Sequence, residues 1–111
     1  MMYRVFYRLT GAGDEAPSTR PVDLPASRIW GDLVAFLEHE DDYVGILDQS
    51  DNVLQILPHL SNDNYWIEIP VVDERASWGR LISGTELKDL LQNLPARFHP
   101  GSFPEFVRED W

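Results

Sequence analysis

Carboxylates are the most abundant residues in this chain that could do chemistry, and they are concentrated in one part of it. The chain has 19 Asp and Glu residues against 9 Lys and Arg, which gives a formal net charge of -10. Residues 29–74 contain eleven of these acids and no Lys or Arg. Carboxylates can act as general acids or bases, hold a metal ion or face a basic surface, so the residues around them decide between these roles.

The sequence gives little support to catalysis. Carboxylate pairs arise by chance in a chain with so many acids, so their presence identifies no acid–base pair. The sequence has no G-x-S-x-G elbow, no P-loop, no dinucleotide fingerprint and no H-E-x-x-H pair. It has no cysteine, which removes thiolate catalysis, disulfides and cysteine-based zinc sites. We therefore predict that the protein is not an enzyme and needs no cofactor.

Two stretches resemble metal sites only loosely. His39 stands close to Asp41 and Asp42 and could ligate a metal with either, but this spacing is a weak signal. Residues 48–52 are rich in side-chain oxygens, but they lack the glycine and the bidentate glutamate of an EF-hand loop. A hairpin turn rich in Asp and Asn is the ordinary explanation of such a run. We predict no metal site.

The one-signed charge favours binding instead. An acidic surface repels nucleic acid and anionic membranes, and it accelerates encounter with a basic protein surface. Of the four tryptophans, Trp66 is predicted to point outward beside Glu68, and an exposed aromatic residue with a charged rim is typical of an interface anchor. The predicted partner-binding residues are Glu38, Glu40, Asp41, Asp42, Tyr43, Asp48, Asp51, Trp66 and Glu68.

A predicted antiparallel meander over residues 43–70 positions most of these side chains. Its three β-branched and aromatic runs are YVGILD, VLQILP and YWIEIP, and the polar turns QSDN and HLSNDN separate them. In the third run Ile67 and Ile69 alternate with Trp66 and Glu68. Because neighbouring side chains on a strand point to opposite faces, the isoleucines predict the buried face and leave Trp66 on the outer one.

The remaining segments complete an α+β prediction. Alternation over residues 3–10 and the run 77–82 predict two more strands, which makes a mostly antiparallel sheet of about five strands. Apolar stripes over 25–40 and 85–94 predict two helices packed on one face, the second opened by a capping box from Ser83. The acids that follow residue 37 are then expected at the end of the first helix, against the negative end of its dipole.

The chain is predicted to form a single domain, residues 1–111. Residues 11–25 are rich in Gly and Pro and are predicted to be a loop, and residues 95–111 are predicted to be an extended tail packed on the core. The N-terminal residues contain no long apolar segment, and no run reaches membrane-spanning length. We expect neither a signal peptide nor a transmembrane helix.

The layout resembles that of the small acidic immunity proteins of bacterial polymorphic toxin systems. The likeness lies in the meander YVGILD, NVLQILP and YWIEIP, followed by DERASWGRLISGTELKDLLQNLP and a Phe- and Pro-rich end, over roughly residues 40–106. It implies a cytoplasmic protein that binds a cognate toxin domain and inhibits it, often by covering the active cleft. Toxins that act on nucleic acids present basic substrate clefts, which suits the acidic charge of this chain.

Two alternatives remain open from the residues. The acidity can serve solubility alone. The outer sheet face or the tail can also form a homodimer or a contact in a regulatory complex, which would make the chain a small cytosolic interaction domain.

Overall fold

The structure is a computed structural model, and it describes residues 1–59 and 63–111. In these ranges the order of strands and α-helices is β1 (Met2–Leu9), β2 (Asp14–Ala16), β3 (Val22–Pro25), α1 (Ala26–Asp32), β4 (Tyr43–Leu47), β5 (Val53–His59), β6 (Asn64–Val71), β7 (Ala76–Ser83), α2 (Gly84–Gln92) and β8 (Val107–Asp110). Single 3-10 turns lie at Thr10–Ala12, Val34–Phe36, Val72–Glu74 and Pro100–Ser102.

The eight described strands form one sheet in the order β2-β1-β4-β5-β6-β7-β8, and all their pairings are antiparallel. The short strand β3 pairs with the first half of β1, and β2 pairs with its second half, so the two share one edge of the sheet. The central strands β4, β5 and β6 are the predicted meander. Residues 60–62 of its second predicted turn lie outside the described residues.

The α+β class, the mostly antiparallel sheet and the two helices are confirmed, but the prediction of about five strands was wrong. The additional strands are β2 and β3, within the stretch predicted as a loop, and β8, within the predicted tail. All three are short and mostly exposed, so they lack the alternating apolar pattern on which the prediction relied. They form because β1 and β7 offer backbone groups that need hydrogen-bond partners at the sheet edges.

The first helix is shorter than predicted. It ends at Asp32 instead of extending to residue 40, and a 3-10 turn at Val34–Phe36 follows it. The side chain of Asp42 accepts hydrogen bonds from the backbone N–H groups of Glu38 and His39. A side-chain acceptor of this kind offers the backbone an alternative to helix, so the acids after residue 37 belong to a turn and not to a helix end.

The second helix begins where the sequence predicts. The hydroxyl of Ser83 accepts a 3.2 Å hydrogen bond from the backbone N–H of Glu86, which is the N-cap contact of the predicted capping box. Leu87 and Leu91 then face the core. Within the described ranges, neither α-helix combines the length and the apolar composition that crossing a membrane requires.

The core lies on one face of the sheet. It is formed by the inward side chains of the central strands with Ile29 of α1, Leu87 and Leu91 of α2, and Phe98 and Phe103 of the C-terminal segment. The strand members include Val5, Val44, Ile46, Leu54, Ile56, Ile67, Ile69 and Ile82. Because both helices and the C-terminal phenylalanines pack on this face, neither helix contributes to the opposite one.

Candidate functional site

The side chains that point away from the core form a surface that we call the outer face. On it Leu57 of β5 stands opposite Trp66 of β6, and Trp66 stands opposite Leu81 of β7. Tyr43 of β4 continues this row, since it precedes the Val44–Ile56 pair by one position. Leu81 is 45% exposed, and the other three are half-buried by their neighbours in the sheet. The result is an apolar row across four strands.

Trp66 and Glu68 are fixed to each other on this face. The indole N–H of Trp66 donates a 3.2 Å hydrogen bond to Oε2 of Glu68. In the described part of the chain no Lys or Arg forms an ion pair with Glu68. The indole of Trp66 can pack against an apolar group of a partner, and the carboxylate of Glu68 beside it can attract a cation.

The ring of Phe6 extends the apolar surface over β4. A Cβ atom at Gly45 would clash with three atoms of this ring, so the ring occupies the space that a side chain at position 45 would fill. Its centroid is 6.1 Å from that of Tyr43, with the planes tilted by 58°. Glycine is therefore required at position 45 so that the ring of Phe6 can lie over β4. The ring then connects β1 with Tyr43, the first residue of the apolar row.

The exposed acids lie at the two ends of the outer face. Glu38, Glu40 and Asp41 are exposed in the turn that leads into Tyr43 at the start of β4. Asp51 lies at the opposite end, in the turn between β4 and β5, where its carboxylate pairs with Arg4 at 2.6 Å. The structure thus brings Tyr43, Trp66 and Glu68 onto one face and separates the acidic stretches by the length of a strand.

Asp42 does not belong to this surface, so the prediction that it binds a partner was wrong. Its side chain is fully buried and accepts hydrogen bonds from the hydroxyl and backbone N–H of Thr10, at 2.6 and 3.0 Å, and from the N–H groups of Glu38 and His39, each at 3.2 Å. Burial alone raises the pKa of this carboxyl, but these four donors outweigh it and lower the pKa to about 2. Asp42 fastens the turn before β4 to the end of β1.

Asp48 requires the same correction. It is 2% exposed and accepts from the N–H groups of Ser50, Asn52 and Phe98 and from the amide of Asn52, at 2.7–3.0 Å. Burial raises its pKa, and the hydrogen bonds more than offset this, so its pKa lies below the usual value. Both aspartates were predicted as surface groups because Asp in a polar run is usually exposed.

Sequence reasoning missed Leu57 and Leu81, the two neighbours of Trp66. The signal that could have identified them is the pairing register, because each faces Trp66 across an antiparallel pair. It also missed a cleft of about 770 Å³ at the end of the sheet. The cleft lies between the β6–β7 turn, the β4–β5 turn and the C-terminal segment, and it includes Val72, Asp73, Glu74, Trp78, Phe103 and Phe106. Long-range placement of the C-terminal aromatics creates it, and no local pattern predicts that.

Comparisons of this chain with protein-family models, with curated proteins and with solved structures found no match.

Proposed function

We propose that this protein is an inhibitor that binds a basic protein domain, and that its target is a cognate bacterial toxin acting on nucleic acid. In this proposal the outer face covers the basic cleft in which the toxin binds its substrate. The protein itself carries out no chemical step, needs no cofactor and acts in the cytoplasm. Nucleic acid and membranes are not its partners, because its charge repels both.

The observation that carries the proposal is the outer face with Trp66 and Glu68 at its centre. A tryptophan within an apolar row supplies the buried contact that dominates many protein interfaces. Glu68 adds a negative charge beside the apolar row, two positions after Trp66, and no Lys or Arg of the described residues forms an ion pair with it. An interface of this kind suits a partner that presents apolar and cationic groups together.

The acids at the edge of this face support the choice of a basic partner. Glu38, Glu40 and Asp41 are exposed, and none of them forms an ion pair within the described residues. Charges at an interface rim act mainly on the association rate and on the choice of partner. These acids come just before Tyr43 in the chain, so their negative charge lies beside the apolar row.

A second candidate function is homodimerisation through the same outer face. The exposed Leu81, and the exposed Val107 of β8 on the same side, favour it, because exposed apolar side chains on one surface mark an interaction site. Two copies would, however, bring two equal acidic rims together, which opposes association. The inhibitor proposal therefore takes precedence.

Co-expression tests the proposal. The gene is expressed together with any toxin gene that neighbours it, and growth of the host and co-purification of the two proteins are measured. We expect growth to be rescued and a stable complex to form. A toxin that kills the host regardless, with no complex recovered, would contradict the proposal. A mass of two copies in light scattering, reverting to one in Leu81→Lys, would instead support the homodimer.

A further inference from the structure

The cleft at the end of the sheet is separate from the row of Trp66 and has an aromatic floor. Phe98 and Phe103 are buried there together with Ile69. Phe106 stacks on Phe103 with ring centroids 5.0 Å apart and planes 14° from parallel. Val72, at its wall, is 72% exposed. The buried phenylalanines of the floor thus belong to the core, whereas Val72 in the wall is open to solvent.

The rim of this cleft is negative. Its lining residues include Asp51, Asp73 and Glu74 and no Lys or Arg. Arg4 pairs with Asp51 and Arg108 pairs with Glu74, both from outside the lining. Asp73 forms no ion pair within the described part of the chain.

Trp78 joins the aromatic floor to the acidic rim. Its indole N–H donates a 3.2 Å hydrogen bond to Oε1 of Glu74, which holds the ring in the cleft wall beside a carboxylate. A guanidinium group can stack on an aromatic face and donate to a carboxylate at the same time, whereas an ammonium group is compact and strongly hydrated. The chemistry of this wall therefore fits arginine better than lysine. Because Arg108 already pairs with Glu74, the carboxylate that remains open to an incoming guanidinium is that of Asp73.

We propose that the cleft binds an arginine side chain of the basic protein partner. This deepens the proposed function and rests on it for the nature of the partner. The acids of its rim disfavour an anionic group in the cleft. Pro70 lines the cleft and lies four positions after Trp66 on β6, about 13 Å along the strand, whereas the aromatic floor of the cleft lies on the core side of the sheet. A partner that fills the cleft and also covers the row of Trp66 would therefore wrap around this end of the sheet.

Nuclear magnetic resonance with isotope-labelled protein tests the cleft directly. The probes are three blocked peptides in which glycine alternates with arginine, with citrulline, which has the shape of arginine without its charge, or with lysine. We expect the arginine peptide to shift the signals of Val72, Asp73 and the Trp78 indole. The citrulline peptide should bind about tenfold more weakly, because it lacks the charge-assisted contact.

A double variant and a matched control locate the site. Asp73→Asn with Glu74→Gln removes two rim charges and keeps an acceptor for Trp78, so the arginine peptide should bind more weakly. Asp14→Asn with Glu15→Gln removes two charges from β2, at the far edge of the sheet, and should leave the affinity unchanged.

Several results would overturn the arginine cleft. They are equal shifts with arginine and citrulline, equal affinity for lysine, shifts confined to the outer face, or no shift at millimolar peptide. If a partner complex is lost in Trp66→Ala but unchanged in the cleft double variant, the cleft assignment is wrong while the proposed function stands. If the arginine peptide binds in the cleft but no basic protein partner is inhibited, the proposed function fails and the cleft remains.

Discussion

The carboxylate of Asp48 accepts a 2.7 Å hydrogen bond from the backbone N–H of Phe98, fifty residues further along the chain. This contact joins the β4–β5 turn to the C-terminal segment at the point where Phe98 enters the core. The same carboxylate closes its own turn through the N–H groups of Ser50 and Asn52. One buried charge therefore fixes both the hairpin and the placement of the segment that forms the floor of the cleft.

Replacing Asp48 with Asn should destabilise the protein strongly. Asparagine keeps one acceptor oxygen and places an NH2 group among N–H donors, so buried donors lose their partner. We expect the free energy of unfolding to fall by about 2–4 kcal/mol. Urea denaturation monitored by tryptophan fluorescence measures this loss.

Asp51→Asn is the matched control in the same turn. The side chain of Asp51 is 74% exposed, and its left-handed backbone with φ of 64° suits asparagine. The free energy of unfolding of Asp51→Asn should fall by no more than about 0.5 kcal/mol. Equal losses for the two variants would mean that the buried contacts of Asp48 contribute no more than a surface ion pair.

The central part of the fold follows directly from the sequence. The meander, the outward position of Trp66 and Glu68 and the cap at Ser83 all depend on residues that are close in sequence, and each is found in the structure. Strict alternation and a capping box depend only on neighbouring residues, so contacts with distant parts of the chain do not change what they predict.

The parts that the sequence did not predict depend on contacts between distant residues. The burial of Asp42 requires Thr10, and the burial of Asp48 requires Phe98. The strands β2, β3 and β8 acquire their structure only by pairing with edges that exist once the sheet has formed. Local composition describes these segments as loops because it contains no information on their partners.

Acid should destabilise the protein partly through Asp42. Its pKa is lowered by folding from 3.8 to about 2, so its stabilising contribution is complete above pH 3.8 and is lost as the pH falls towards 2. A shift of this size corresponds to ~2 kcal/mol. Urea unfolding at a series of pH values should show this fall in the wild type and a shallower one in Asp42→Asn. Parallel curves for the two proteins would show that Asp42 titrates normally when folded.

Removing the indole of Trp66 should weaken the partner complex through faster dissociation. An aromatic anchor is worth about 2 kcal/mol or more, which corresponds to an increase in the dissociation rate of about 30-fold. Surface plasmon resonance with Trp66→Ala against the co-purified partner measures it. Phe36→Ala is the control, because Phe36 is 48% exposed and belongs to the 3-10 turn after α1, not to a strand of the sheet. If both variants dissociate at the same rate, the outer face is not the interface.

Reversing the exposed acids before β4 should slow association and leave the fold intact. Glu38, Glu40 and Asp41 are all exposed, and the Asp42 contacts in this turn use only backbone N–H groups of Glu38 and His39, which survive the change to lysine. At low salt we expect the triple lysine variant to associate about 10- to 100-fold more slowly with a basic partner. The difference should shrink as salt is added, because ions screen exposed charges beyond about 10 Å at 0.1 M.

The same charge reversal on the edge strands β2 and β3 is the control, with the changes Asp14→Lys, Glu15→Lys and Asp23→Lys. If the two triple variants slow association equally, only the net charge matters, and the acids before β4 do not guide the partner to the outer face.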